Sequence, residues 1–146
     1  MSIRLAEITA DNWEDVIDLE VFEEQGSFVA DNAYSLAEAA YNPHCIPLAI
    51  YNGDELVGFM MYHPPYEEDN DYWFFRFMID KDHQRKGYGK AAMQIILDKI
   101  KEDKAHNRVF LSFESENTGA KALYESFGFV PDGRILDNEI VYVLNY

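Results

Sequence analysis

Apolar and polar positions alternate in short runs along most of this chain and fall into a helical period in four places, predicting strands interleaved with a few helices. Ile3-Arg4-Leu5-Ala6-Glu7-Ile8 alternates and predicts a first strand. Thr9 or Asp11 can cap a helix carrying Trp13, Val16, Ile17 and Val21 on one face, which Gln25-Gly26-Ser27 breaks. A second helix is expected from Ser35 to Tyr41, stopping before Pro43. Leu48–Tyr51, Asn52-Gly53 and Leu56–Tyr62 read as a hairpin, with Asn-Gly suited to a type I′ turn. Further strands are expected at Trp73–Ile79, Val109–Phe113, Phe129–Ile135 and Ile140–Leu144. Ala92, Met93, Ile96, Leu97 and Ile100 form the stripe of a long helix to Lys101. Asn117 or Thr118 can cap a last helix, ending with Gly128 at C′. No repeat, linker or low-complexity tract interrupts the order, so 1–146 reads as one α+β domain. Its mixed, mostly antiparallel twisted sheet would hold six to seven strands, with about four helices on both faces.

Composition narrows the class. At 146 residues and 48% apolar, with ten Phe and ten Tyr, the chain can bury a real core. The single cysteine, Cys45, excludes an internal disulfide framework and fits a reducing compartment. No basic leader precedes an apolar block, and no stretch approaches the roughly 20 apolar residues that span a bilayer. A cytoplasmic protein is expected. The net charge of −15 is one-sided: residues 1–75 carry sixteen acids and one base, Arg4, whereas 76–146 carry eleven of each. Such a surface disfavours nucleic acid and anionic membrane and attracts cations, although solubility alone also favours acidity.

Candidate chemistry begins at Gln84-Arg85-Lys86-Gly87-Tyr88-Gly89, between the strand ending at Ile79 and the long helix. Glycines let backbone N–H groups approach phosphate oxygens, and the unpaired amides of a first helical turn point at the anion. Arg85, Lys86 and Lys90 add positive charge there. A lone G-x-G is equally a plain turn. No P-loop pattern is present, and Ala92 replaces the third glycine of a dinucleotide fingerprint.

A second segment, Asn117 to Phe129, has the form N-x-x-A-x-x-L-Y-x-x-x-G-F. With Q-x-x-G-x-G about thirty residues upstream, the chain resembles the GNAT family, the acetyl-CoA-dependent N-acetyltransferases. The element order of that family runs from Ile3 to the final strand. Arg76-Phe77-Met78-Ile79-Asp80 and Leu111-Ser112 look closest to the bacterial spermine/spermidine (diamine) acetyltransferases within it.

The resemblance implies a splayed gap between the Trp73–Ile79 and Val109–Phe113 strands, with the pantetheine arm of acetyl-CoA paired to main-chain groups of Met78 and Ile79. The pyrophosphate would meet the amides of Gln84, Arg85, Lys86, Gly87, Tyr88 and Gly89, with Lys90 beside them. Asn117 would touch the pantetheine as well as cap its helix. Tyr124, a phenol of ordinary pKa ~10, would return a proton to the departing sulfur, the alternative being a core tyrosine beside Leu123 and Phe127. Many members carry a glutamate near the place held here by Trp73, so the base is open: Glu114 is the candidate, a water chain the alternative. His83 reads as shaping the turn, and the other three histidines lack metal-ligand spacing, so no metal is expected. The acceptor would lie over Glu20 to Phe28, where Glu23, Glu24 and Phe28 could hold a polyamine, rimmed by the loop Glu67 to Asp71. Other amines (a protein N-terminus or lysine, an amino acid, an aminoglycoside) and a non-catalytic acetyl-CoA-binding module are the alternatives. A homodimer is implied by the resemblance.

Overall fold

The computed structural model describes residues 1–146 apart from Ser27, Val29 and Glu68. The helix break expected at Ser27 and the loop charge of Glu68 thus lie outside the described residues. Seven strands form one sheet: β1 (Ile3–Glu7), β2 (Ile46–Asn52), β3 (Glu55–His63), β4 (Tyr72–Ile79), β5 (Arg108–Phe113), β6 (Val130–Leu136) and β7 (Glu139–Asn145). Their order is β1-β2-β3-β4-β5-β7-β6, antiparallel throughout except for the β4–β5 pair. The helices are α1 (Trp13–Asp18), α2 (Asn32–Tyr41), α3 (Tyr88–Lys101) and α4 (Thr118–Ser126).

Strand alternation divides the core between the two faces. On one, Ala92, Met93, Ile96, Leu97 and Ile100 of α3 and Tyr124 of α4 pack against Val57, Met60, Phe74, Val109, Leu111 and Phe113. On the other, Val16 of α1 with Leu36 and Ala39 of α2 cover Ala49, Phe59, Met61 and Met78. A third cluster, Phe110, Val141 and Val143 with Trp73 against them, lies on this second face farther along the sheet. At about 25 cal/mol per Å² of apolar surface, a fully buried Phe59 or Ile96 contributes roughly 2 kcal/mol before its entropy cost.

Several elements differ in detail from their sequence expectation. Neither Thr9 nor Asp11 caps α1. Asn12 holds the N-cap position, and its Oδ1 turns back to accept from the Thr9 amide at 2.8 Å. That helix has only six residues, and Trp13 is 43% exposed rather than part of a continuous apolar face. Helix α2 starts three residues early because the Asp31 carboxylate accepts from the Tyr34 amide at 2.8 Å. In the β2–β3 hairpin Asn52 pairs with Glu55, so the central residues are Gly53 and Asp54. Positive φ falls on Gly53 alone, the requirement of a type II′ rather than a type I′ turn. Asn52 is freed to accept from the Ser2 amide at 2.8 Å and donate to the Tyr88 hydroxyl at 3.0 Å. Gly128 performs as expected. With φ of 97° it donates to the Glu125 carbonyl, while the Phe129 amide donates to that of Tyr124, a Schellman closure of α4.

Candidate active site

The β4–β5 pair is where the sheet opens. Parallel pairing covers only Tyr72–Val109, Trp73–Phe110 and Phe74–Leu111, after which the strands part. On its other side β4 stays paired with β3, to Gly58–Ile79. Phe75 is unpaired in that ladder, between Phe74 opposite Tyr62 and Arg76 opposite Met61, and bulges re-aim strands. Gly58 allows the close approach that follows: a Cβ there would stand 2.5 Å from the Met78 carbonyl oxygen and 2.8 Å from Ile79 Cδ1. Beyond Phe74 the edge of β4 facing β5 therefore has no strand partner. A cavity of about 1020 Å³ fills the opening.

One end of this cavity is built from the glycine turn. Gln84, Arg85, Gly87, Tyr88, Gly89 and Lys90 line it. Arg85 and Gly87 both have positive φ, 64° and 83°, and Gly87 is the N-cap of α3. Successive residues of this kind turn amides to one side, forming an anion-binding concavity at a helix start. Gly89 would meet only ordinary contacts if given a Cβ, at 3.5 Å from Ile79 and Phe77, so the chain itself does not demand glycine there. Gln84 is tied elsewhere. Its Nε2 donates to the Ile79 carbonyl at 2.9 Å and to Gln25 Oε1 at 2.9 Å, while Gln25 Nε2 donates back to Gln84 Oε1 at 3.1 Å. With the Lys81 amide on the Glu20 carbonyl at 2.7 Å, this pair fastens the α1–α2 connection to the turn. Lys86 is exposed and does not line the cavity, whereas His83, the last residue of a one-turn 3₁₀ segment, does.

Tyr124 reaches the middle of the cavity from α4. Its ring, 9% exposed, is held between Phe113 and Phe129 at centroid distances of 5.6 and 5.9 Å. Burial, and then the charge of Glu139, push its phenol well above the ordinary tyrosine range, so it keeps its proton at neutral pH. Core packing and cavity lining thus coexist in one residue. Asn117 likewise does two things, capping α4 through Oδ1 to the Ala120 amide at 3.2 Å while lining the cavity.

The far wall contains residues that sequence reasoning did not assemble: Trp73, Phe75, Arg76, Ser112, Asp137 and Glu139. Arg76 donates to Ser35 Oγ at 3.1 Å, Glu38 at 3.2 Å and the Phe75 carbonyl at 2.9 Å. Ser112 Oγ donates to Glu139 Oε1 at 2.7 Å. Glu114, one residue beyond β5, does not line the cavity. Glu23 and Glu24 are exposed in a 3₁₀ turn outside it, whereas Phe28 lines it. The acidic loop is pinned more than its composition suggests. Asp71 pairs with Arg108 at 2.8 Å, and Asp69 lies 3.5 Å from His63. Among the described residues, no group of three or more His, Cys, Asp or Glu is placed to hold a metal ion.

A splayed parallel pair, an anion-ready helix start and a buried tyrosine between them define an acyl-CoA transferase site. The model of the acetyltransferase (GNAT) family matches residues 7–129, and the chain belongs to that family. It is an N-acetyltransferase that uses acetyl-CoA. A spermine/spermidine N(1)-acetyltransferase of Bacillus subtilis (strain 168) is 34% identical over 140 residues, 92% of each chain. A solved spermidine N-acetyltransferase from Vibrio cholerae, in complex with CoA and spermine, superposes with a TM-score of 0.77 at 15% identity, covering 99% of this chain and 95% of that one. The PaiA N-acetyltransferase of Thermoplasma acidophilum, in complex with coenzyme A, gives 0.75 at 15% identity over the whole of both chains.

Proposed function

We propose that this enzyme moves the acetyl group of acetyl-CoA to a primary amine of a polyamine such as spermine or spermidine. The observation that carries the reading is the two-sided cavity: a proton-holding phenol on one side and aromatic and carboxylate side chains on the other. The name of the Bacillus subtilis relative points to the same acceptor class.

In this reading the pantetheine arm lies along the free edge of β4, taking up main-chain groups of Met78 and Ile79 as an added strand would. The pyrophosphate meets the amides of Arg85 to Gly89, with Lys90 contributing charge. Asn117 offers its free Nδ2 to the arm. The cavity positions the thioester, which converts an encounter into an oriented attack. Tyr124 donates its proton to the departing sulfur. A phenol is a weak acid, yet the thiolate it meets is formed in the same buried space.

The acceptor's methylene stem would lie on Trp73, Phe75 and Phe28, a fit for an apolar spacer between charges. Glu23 and Glu24, outside the cavity, would act at range by raising the local concentration of cations rather than by contact. Cys45, buried and unpaired, suits the reducing cytoplasm. The outer strand β6, with Val130, Ile135 and Leu136 exposed, offers an edge to a second copy in a homodimer.

The test is release of thiol from acetyl-CoA with spermine, spermidine, putrescine, an aminoglycoside, amino acids and a lysine peptide, at low and high salt. Saturable turnover on spermine or spermidine with KM rising in salt is the expected result. Turnover confined to peptide or amino acids would keep the chemistry and overturn the acceptor.

A further inference from the structure

We propose that Glu139, held by Ser112, is the base that takes the proton from the attacking amine nitrogen. The inference rests on the acetyl-transfer reading and assigns the role for which Glu114 was the sequence candidate.

Strand alternation fixes the side from which Glu139 acts. Along β5, Val109, Leu111 and Phe113 face α3 and α4, so Ser112 falls in phase with Phe110 on the opposite face. Along β7, Tyr142 and Leu144 face α3 and α4, so Glu139 shares the face of Val141 and Val143. Tyr124 arrives from α4 on the first face. Acid and base therefore approach the opening from opposite sides of the sheet, so the base can meet the nitrogen as it adds to one face of the carbonyl while the phenol stays free for the sulfur.

Position along the strands agrees. The last β4–β5 pair is Phe74–Leu111, and Ser112 is the first residue beyond it. The Ser112 hydroxyl holds Glu139 Oε1 at 2.7 Å, leaving Oε2 for the amine. Among the described residues, no basic side chain forms an ion pair with Glu139. Arg76 is occupied by Ser35 and Glu38, and Arg134 of β6 pairs with Asp132 at 2.7 Å. Asp137, in the β6–β7 turn, adds a second negative charge to the cavity wall. That Glu139 perturbs Tyr124 places the two groups within electrostatic reach.

The step balances as follows. The neutral amine nitrogen attacks the thioester carbonyl carbon, forming the C–N bond and a tetrahedral adduct with a negative oxygen and a protonated nitrogen. Glu139 takes one proton from that nitrogen, which is far more acidic in the adduct than in the free ammonium. The C–S bond breaks, its electron pair leaves on sulfur, and sulfur takes the Tyr124 proton. Glu139 then gives its proton to solvent and the tyrosinate takes one back from solvent, leaving amide and thiol.

The test uses the full chain with Glu139→Gln, Glu139→Asp and Ser112→Ala, measuring kcat and KM for spermidine across pH, the Kd for acetyl-CoA by calorimetry and the melting temperature. Glu139→Gln is expected to lower kcat by about 100-fold or more, with acetyl-CoA affinity and melting temperature retained. The native enzyme is expected to lose kcat on acidification, and Glu139→Gln should abolish that decline. Glu139→Asp should recover part of the rate, and Ser112→Ala should lose up to about tenfold in kcat. A Glu139→Gln enzyme within about threefold of native kcat, or one changed in KM alone, would overturn the assignment. Should Glu139→Gln fail to fold, unchanged kcat in both other variants would overturn it equally. A native chain that binds acetyl-CoA but releases thiol with none of the panel amines would instead defeat the transfer reading, and Glu139's role with it.

Discussion

The two ends of the cavity are built by different means. The end proposed for the cofactor is a contiguous stretch, residues 84 to 90, shaped by backbone: two residues at positive φ and the first amides of α3. The end proposed for the acceptor is a set of side chains, from Phe28 through Trp73 and Ser112 to Glu139, brought together largely by sheet register. A backbone site depends on a few local dihedrals and tolerates side-chain change. A register site depends on every pairing between β4 and β7 and changes character with single side chains. Cofactor binding and acceptor choice should thus respond to different mutations.

The largest expected effect tests the point where the two ends meet. Tyr124→Phe keeps the ring between Phe113 and Phe129 and removes only the acid, so kcat should fall by about 100-fold or more while acetyl-CoA binding is unchanged. Stopped-time thiol assays beside calorimetry would show it, and a variant as fast as the native chain would remove Tyr124 from the chemistry. Next is Gly58→Ala. Its Cβ would collide with the Met78 carbonyl at 2.5 Å, so β3 and β4 must separate, at about 1–3 kcal/mol in denaturant unfolding. Acetyl-CoA affinity should weaken with it, because β4 also forms one edge of the opening.

Gly87→Ala sharpens the contrast further. Nothing crowds the position, since the nearest atom to an added Cβ is 3.9 Å away, but φ of 83° costs a non-glycine residue about 1 kcal/mol or more. Acetyl-CoA Kd should rise with little change in amine KM, and the reverse pattern would contradict a division of labour between the ends. The smallest effect is shared by the whole core. Tyr62, Tyr72, Tyr124, Tyr142 and Tyr146 are all raised above the ordinary value of 10.0, chiefly by burial. A raised folded pKa means the stability is complete below pH 10 and is lost as pH climbs through the folded values. Melting temperatures should hold from pH 7 to 9 and decline above about pH 10. A flat profile to pH 11 would mean that these phenols ionise as easily folded as unfolded.

Local signals were legible before any coordinates. The stripe of α3, the Schellman glycine at 128 and the strand-turn-helix at 84–90 each involve residues within a few positions of one another, and each is present. Tyr124 and Asn117 were singled out through the resemblance of their segment to the family, and both line the cavity. Ends of elements were less so. Asp31 outcompeted Ser35 as the start of α2, and Asn52 left the hairpin turn to bind Ser2 and Tyr88, a partner thirty-six residues away. Charge misled in a particular way: the acidic tract before Trp73 suggested a free rim, yet Asp71 is answered by Arg108 from β5.

By itself, then, the order of residues determined the α+β class, the glycine turn before α3 and the closure of α4, because periodicity, φ preference and capping act over one or two helical turns. Tertiary structure alone decided how far β4 and β5 stay paired, that Ser112 should lie beside Glu139, and that Glu23 and Glu24 should stand outside the cavity. Those outcomes depend on register between strands dozens of residues apart, and register is settled by the packing of two sheet faces at once, which no local stretch encodes.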